Sequence, residues 1–169
     1  MSAVDAHAMM VMFLCPRPVV LVTAMEERSG NIFPMNLMGS LGDGYFSFAL
    51  NAERQASRCV RRVERVALSS VPYDKQKEAR ELGKQHMQTS ADWDRLPFGI
   101  RRCLQFEVPV LEFALSVREV KIRVARDLGS HTFLSVRLCG RKKCAEAPAF
   151  FMIHGMYQRV RSLNESARR

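Results

Sequence analysis

Apolar positions in the first third of the chain fall into short runs separated by turn residues. Val19-Val20-Leu21-Val22-Thr23 is rich in β-branched residues and bounded by Pro16 and Pro18 before it and Ser29-Gly30-Asn31 after it. That pattern predicts a buried strand running into a turn. Tyr45-Phe46-Ser47-Phe48-Ala49-Leu50 alternates at period two after Gly42-Asp43-Gly44, which predicts a turn and a second strand of the same sheet. From Glu53 the period changes. Ala56, Val60, Val63 and Ala67 recur at helical spacing, with Arg54, Arg58, Arg61, Arg62 and Arg65 on the other side, so an amphipathic helix with a basic stripe is expected. Val66 to Val71 reads as a strand stopped by Pro72, and Asp74 to His86 as a more polar helix capped by Asp74. Thr89 to Arg95, around Trp93, carries neither period and reads as a loop.

The remainder is mainly β in pattern. Phe113 to Val117 alternates, as do Val120, Ile122 and Val124 with Lys121 and Arg123, and Leu134, Val136 and Leu138 with Ser135 and Arg137. The change of phase at Arg118-Glu119 suggests a bulge. Many short strands, two inserted helices and no βαβ rhythm point to an antiparallel barrel. The 169 residues suit one domain, and neither a repeat nor a linker divides them.

Charge and cysteine content narrow the picture further. Lys and Arg number 26 against 17 Asp and Glu, a net charge of +9 that favours anionic partners through long-range steering. The apolar run from Ala8 to Cys15 is too short to span a bilayer and lacks the basic flank and small-residue cleavage site of a signal peptide. A cytoplasmic protein is expected, with no membrane contact. Cys15, Cys59, Cys103, Cys139 and Cys144 form an odd set without a CxxC pair, which suits reduced thiols.

Phosphate-loop, nucleophile-elbow and dinucleotide fingerprints do not occur in the chain. Cys139 and Cys144, with His131 and His154, lack a second matching pair, so no metal is expected. Arg141-Lys142-Lys143 and the arginine stripe come without a recognised nucleic-acid motif, and no nucleic-acid partner is expected.

Four strings carry a resemblance: Pro16 to Thr23, Asn31 to Leu41, Leu128-Gly129-Ser130-His131-Thr132-Phe133, and His154-Gly155-Met156-Tyr157. In order and spacing the chain resembles the flavin reductase-like family of FMN-binding split barrels, over roughly Phe13 to Arg161. The resemblance implies a mainly β, six-stranded antiparallel Greek-key split barrel with inserted helices, forming a homodimer with FMN near the interface. It further implies hydride transfer from NADH or NADPH to flavin, or alternatively a flavoredoxin-like electron carrier serving a protein partner.

Residue by residue, Asn36, Leu37, Met38, Gly39 and Ser40 match the segment that lines the flavin ring and reaches the phosphate. Asn51 to Ser57 matches the loop leading into the helix, where exposed N–H groups and the helix dipole can hold a phosphate; Asn51, Arg54 and Ser57 are candidates there, and Arg58 joins them by its place near the helix start. A solvated helix face is the reading for Arg61, Arg62 and Arg65. Gly129-Ser130-His131 stands where many relatives carry Gly-Asp-His, so His131 is the candidate to contact nicotinamide or the flavin edge, with a purely structural histidine as the other reading. His154 and Tyr157 match a C-terminal segment beside the flavin, with a strand-end histidine and a core tyrosine as the alternative.

Overall fold

The computed structural model describes residues 17–26, 29–35, 39–84, 90–153 and 156–160. Val20, Leu21 and Val22 are consecutive and all buried in β2 (Val20–Glu26), because both faces of this strand are covered. β2 pairs antiparallel with β3 (Ser29–Met35) on one side and β6 (Arg65–Ser70) on the other. The sheet continues through β9 (Ser116–Asp127), β10 (His131–Lys143) and β5 (Tyr45–Asn51) to β4 (Gly39–Gly42), seven strands in the order β3-β2-β6-β9-β10-β5-β4. A three-stranded sheet joins β1 (Arg17–Pro18), β11 (Ala149–Ile153) and β12 (Met156–Val160), and β7 (Ile100–Arg102) pairs with β8 (Pro109–Leu111). The helices are α1 (Gln55–Arg62) and α2 (Gln76–Lys84).

The mainly β, antiparallel architecture with inserted helices is therefore the one the pattern predicted, and the large sheet has seven strands where the resemblance implied a six-stranded split barrel. The seventh is β4, folded back on β5 by Gly42, Asp43 and Gly44, whose φ angles of 83°, 48° and 76° are all positive. Two glycines make that reversal accessible.

Each face of the sheet has its own core. Leu21, Ala67 and Val117 pack with Val110, Leu111, Ala114 and Phe150 on one side. Val20, Val22, Val66, Leu68, Val120, Leu134 and Val136 pack with Val60 of α1 on the other. This double burial accounts for the change of phase at Arg118-Glu119, while the bulge expected there lies across the ladder on β10, where Leu138 and Gly140 face Val120 and Glu119. β9 runs in unbroken register along β6, with Ala67 opposite Glu119 and Val66 opposite Val120; the change of phase arises because burial passes from one core to the other. The irregularities lie in the pairing with β10, between Ser135 and Val136 and between Leu138 and Gly140.

Other boundaries shift for similar reasons. Ala67 belongs to β6 and not to the first helix, which stops at Arg62 where Val63 turns extended (φ −110°, ψ 149°) so that Arg65 can lie beside Lys121. Asp74 does not cap α2. It sits inside a 3₁₀ turn, Tyr73–Lys75, that precedes the helix. Phe113 falls in a turn after β8, closed by the Ala114 N–H donating to the Leu111 carbonyl at 3.4 Å, and regular pairing begins only at Ser116. Within the expected loop, Trp93–Arg95 forms a 3₁₀ turn whose indole packs against the first core.

A buried carboxylate locks the β7–β8 connection onto the sheet. Glu119, 5% exposed, accepts the backbone N–H groups of Gln105 at 2.8 Å and Phe106 at 2.9 Å. Gly140 lies opposite it, where a Cβ would come within 3.0 Å of Glu119 Oε2. Burial, and then the hydrogen bond with Glu119, push the neighbouring Cys103 thiol from 9.0 up to about 11. Glu119→Ala leaves two N–H groups without their acceptor and should destabilise the fold by about 1–3 kcal/mol in urea unfolding. The proton held on Cys103 contributes stability that is complete below pH 9.0 and lost as the pH rises to about 11. Iodoacetamide at pH 8 should accordingly modify the exposed Cys139 and Cys144 while sparing Cys103 until the chain is unfolded, as read by peptide mass spectrometry.

Candidate functional site

β5 ends at Asn51 and α1 begins at Gln55, and the link between them is fixed by Asn51 twice over. Its Oδ1 accepts the Glu53 N–H at 2.9 Å and its carbonyl accepts the Arg54 N–H at 3.2 Å. The Ala52 N–H donates to the Ser130 carbonyl at 3.0 Å, tying the link to the β9–β10 turn. That turn depends on Gly129 at φ 78°, and the Leu128 N–H closes it on the His131 carbonyl at 2.8 Å.

Arg54 occupies the N-cap position of α1 in extended conformation, no side chain caps the helix, and its first turn contains no acidic residue. The leading N–H groups of such a helix need an external acceptor, and the dipole favours an anion. Arg54 and Arg58 are exposed and form no ion pair among the described residues, so two guanidinium groups flank this positive end.

Ser57, in the first turn of the helix, points inward. It is 1% exposed, and its hydroxyl donates to Thr132 Oγ1 at 3.2 Å. Thr132 in turn donates to Asp127 Oδ1 at 2.8 Å, and Arg61 Nη1 lies 3.0 Å from Asp127 Oδ2. Arg61 is thus engaged in an ion pair and is not merely part of a solvated face.

His131 is half-buried and stands opposite Asn51 in the β5–β10 ladder, with Nδ1 2.9 Å from the Ser130 hydroxyl. Alternation along the strands places His131, Phe133 and Ser135 on one face with Asn51, Ala49 and Ser47, all half-buried. Thr132, Leu134, Val136, Phe48 and Leu50 fill the buried opposite face.

The other sequence-derived positions lie further off. Gly39 and Ser40 stand opposite Ser47 and Phe46, in line with Asn51 along β5 but roughly 14–17 Å from it at the usual strand rise. Ser40 is exposed and accepts the Gly42 N–H at 3.4 Å. Tyr157 lies in β12 of the three-stranded sheet, opposite Met152. Asn36, Leu37, Met38 and His154 fall outside the described residues. The structure therefore unites Asn51, Arg54, Arg58 and His131, with Ser57 directly behind them.

Thr132 and Asp127 were missed as members of this arrangement. Their signal was present: residues placed symmetrically about a Gly129 turn face each other in a hairpin, and Ser57 and Arg61 are one helical turn apart. Two concavities lie elsewhere, one between β3, α2 and the Ala91–Pro97 segment and the other beside Arg62, Arg65 and Arg102. Among the described residues no three His, Cys, Asp or Glu side chains converge as metal ligands.

The fold has solved counterparts. The flavin reductase component of a bacterial two-component tryptophan halogenase, BorF, superposes with a TM-score of 0.79 at 19% identity, covering 94% of this chain and 99% of its own. NADH:FAD oxidoreductase SgcE6 of Streptomyces globisporus C-1027 gives 0.79 at 15% identity, over 95% and 96%. An FMN-binding protein from Thermus thermophilus gives 0.75 at 18% identity, over 88% and 89%. No curated protein matches the chain. The flavin reductase like domain matches residues 12–161, and with nearly the whole length accounted for the chain belongs to that flavin-binding family.

Proposed function

We propose that the protein is an FMN-dependent oxidoreductase that takes a hydride from NADH or NADPH onto the bound flavin and passes electrons onward, working as a cytoplasmic homodimer with FMN near the subunit interface. The observation that carries this reading is the uncapped start of α1, flanked by Arg54 and Arg58 and adjoining the face that presents His131 and Asn51.

The residues fit the cofactor's chemistry. A phosphate accepts hydrogen bonds and carries negative charge, which the first-turn N–H groups, the helix dipole and the two guanidinium groups complement. Flavin, when bound, supplies the two-electron chemistry, while the protein binds, orients and tunes it. Small side chains at Ser47, Ala49 and Ser135 let a flat ring lie close to the sheet, and Gly39, opposite Ser47, leaves that edge open. Asn36, Leu37, Met38 and Ser40 complete the ring side in this reading, and His154 and Tyr157 approach from the C-terminal segment. His131 orients the nicotinamide. No general base is required, because holding the two rings within reacting distance is the main contribution. No helix among the described residues is long and apolar enough to cross a membrane.

One observation favours the carrier as a second reading. Ser130 occupies the turn position beside His131, and its hydroxyl is already engaged by the imidazole at 2.9 Å. The carboxylate that many relatives carry at this position, in a motif associated with pyridine-nucleotide binding, is thus replaced by a hydroxyl turned toward His131.

Anaerobic titration of the FMN-reconstituted protein with NADH and then NADPH separates the two. Bleaching of the visible flavin band supports the reductase and identifies the nucleotide, whereas bound flavin that neither nucleotide bleaches supports the carrier. Arg54→Ala should weaken FMN binding about tenfold in fluorescence quenching, an effect that shrinks as salt is raised. Unchanged affinity would remove Arg54 from the phosphate site.

A further inference from the structure

Resting on the phosphate site proposed above, we infer that Thr132 is a positioning residue for that site: it grips α1 through Ser57, and Asp127 and Arg61 set the direction of the grip. The contact joins elements 75 residues apart in the chain, between side chains that are 1% and 0% exposed. α1 has only eight residues; Val60 and the half-buried Cys59 pack against the core and Cys59 reaches the Ala24 carbonyl, while on the side that meets the β9–β10 hairpin its rotation is fixed by the polar contacts of Ser57 and Arg61. Ser57 and Arg61 lie one turn apart on one side of it, and both reach the β9–β10 hairpin. Rotation of the helix would redirect the first-turn N–H groups on which an anion depends.

Donor and acceptor chemistry gives the network a single direction. A guanidinium only donates and an ionised carboxylate only accepts. Asp127 therefore receives hydrogen bonds from both Arg61 and Thr132, the latter at 2.8 Å. With the Thr132 proton committed to Asp127, its oxygen lone pairs accept the Ser57 hydroxyl at 3.2 Å. Ser57 has spent its one proton inside the protein and has none to give a phosphate. It acts as a strut that orients the helix, and Arg54, Arg58 and the backbone N–H groups do the binding. The Ala52 N–H to Ser130 carbonyl bond holds the entry to the same helix from the other side.

The test compares FMN with riboflavin, which has the ring but no phosphate, by fluorescence quenching. In Thr132→Val the FMN affinity should fall about tenfold while riboflavin binding holds, and Thr132→Ser should restore the preference for phosphate. Ser57→Ala should lose about as much as Thr132→Val, with the double variant no worse than either single one. A preference unchanged in Thr132→Val, or equal losses for both ligands, overturns the inference. So does a Ser57→Ala loss with no matching loss in Thr132→Val, which would make Ser57 a direct phosphate donor. Should Thr132→Val fail to fold, Asp127→Ala replaces it, since it removes the acceptor of Thr132 and the partner of Arg61 together; an FMN preference equal to wild type then overturns the inference. Wild-type protein that binds riboflavin as tightly as FMN, or neither one, overturns the phosphate-site reading itself and is recognised before any variant is measured.

Discussion

The antiparallel pairing of β9 with β10 sets where everything else can sit. It runs from Ser116 opposite Lys143 to Asp127 opposite Thr132, with β6 attached along one edge and β5 along the other. Because β6 and β9 remain in register, Ala67 and Glu119 fall on one face while Val66 and Val120 fall on the other, and both faces must then be covered. α1 covers one of them. The β7–β8 ribbon, the segment around Ala114 and Phe150 cover the other. The far end of the same hairpin delivers Ser130 and His131 to Asn51, so the candidate site is a consequence of strand pairing and not of a loop placed independently.

Charge is distributed unevenly along that arrangement. The chain carries +9 overall, yet the arginines of α1 have different fates: Arg61 is held by Asp127 at 3.0 Å and Arg62 approaches Glu26 at 3.9 Å, while Arg54 and Arg58 face outward at the helix start. The ion pairs are exposed and contribute little to stability by themselves. The two outward guanidinium groups coincide with the positive end of the helix dipole, where their field adds to that of the backbone. Steering of small anions toward this end follows from that addition.

Polar groups buried near the site and away from it serve different ends. Glu119 meets two backbone N–H groups that would otherwise be orphaned and so joins a connecting segment to the sheet. Thr132 and Ser57 join a helix to the sheet through hydroxyl groups, whose directionality fixes an orientation that apolar contact alone would leave loose.

The hydrophobic pattern by itself determined the element types, while the family resemblance rested on four short strings: the buried run at Val20-Leu21-Val22, the Gly42-Asp43-Gly44 reversal, the basic amphipathic helix and the long alternating strands were all legible, because local periodicity records which side of an element meets a core. It could not place Ala67, Phe113 or Asp74, since each sits where chain reversal or pairing with a distant strand overrides local spacing. It suggested a bulge at Arg118-Glu119 but could not show that the extra residue would sit on β10, between Leu138 and Gly140, nor that two separate cores cause the change of phase. Arg54, Arg58 and His131 could be named from the chain alone. The Asp127–Thr132 pairing follows from the Gly129 turn, but that this pair meets Ser57 and Arg61 of α1 was decided only by tertiary structure, because hydrogen-bond partners up to 75 residues apart leave no periodic trace in either segment.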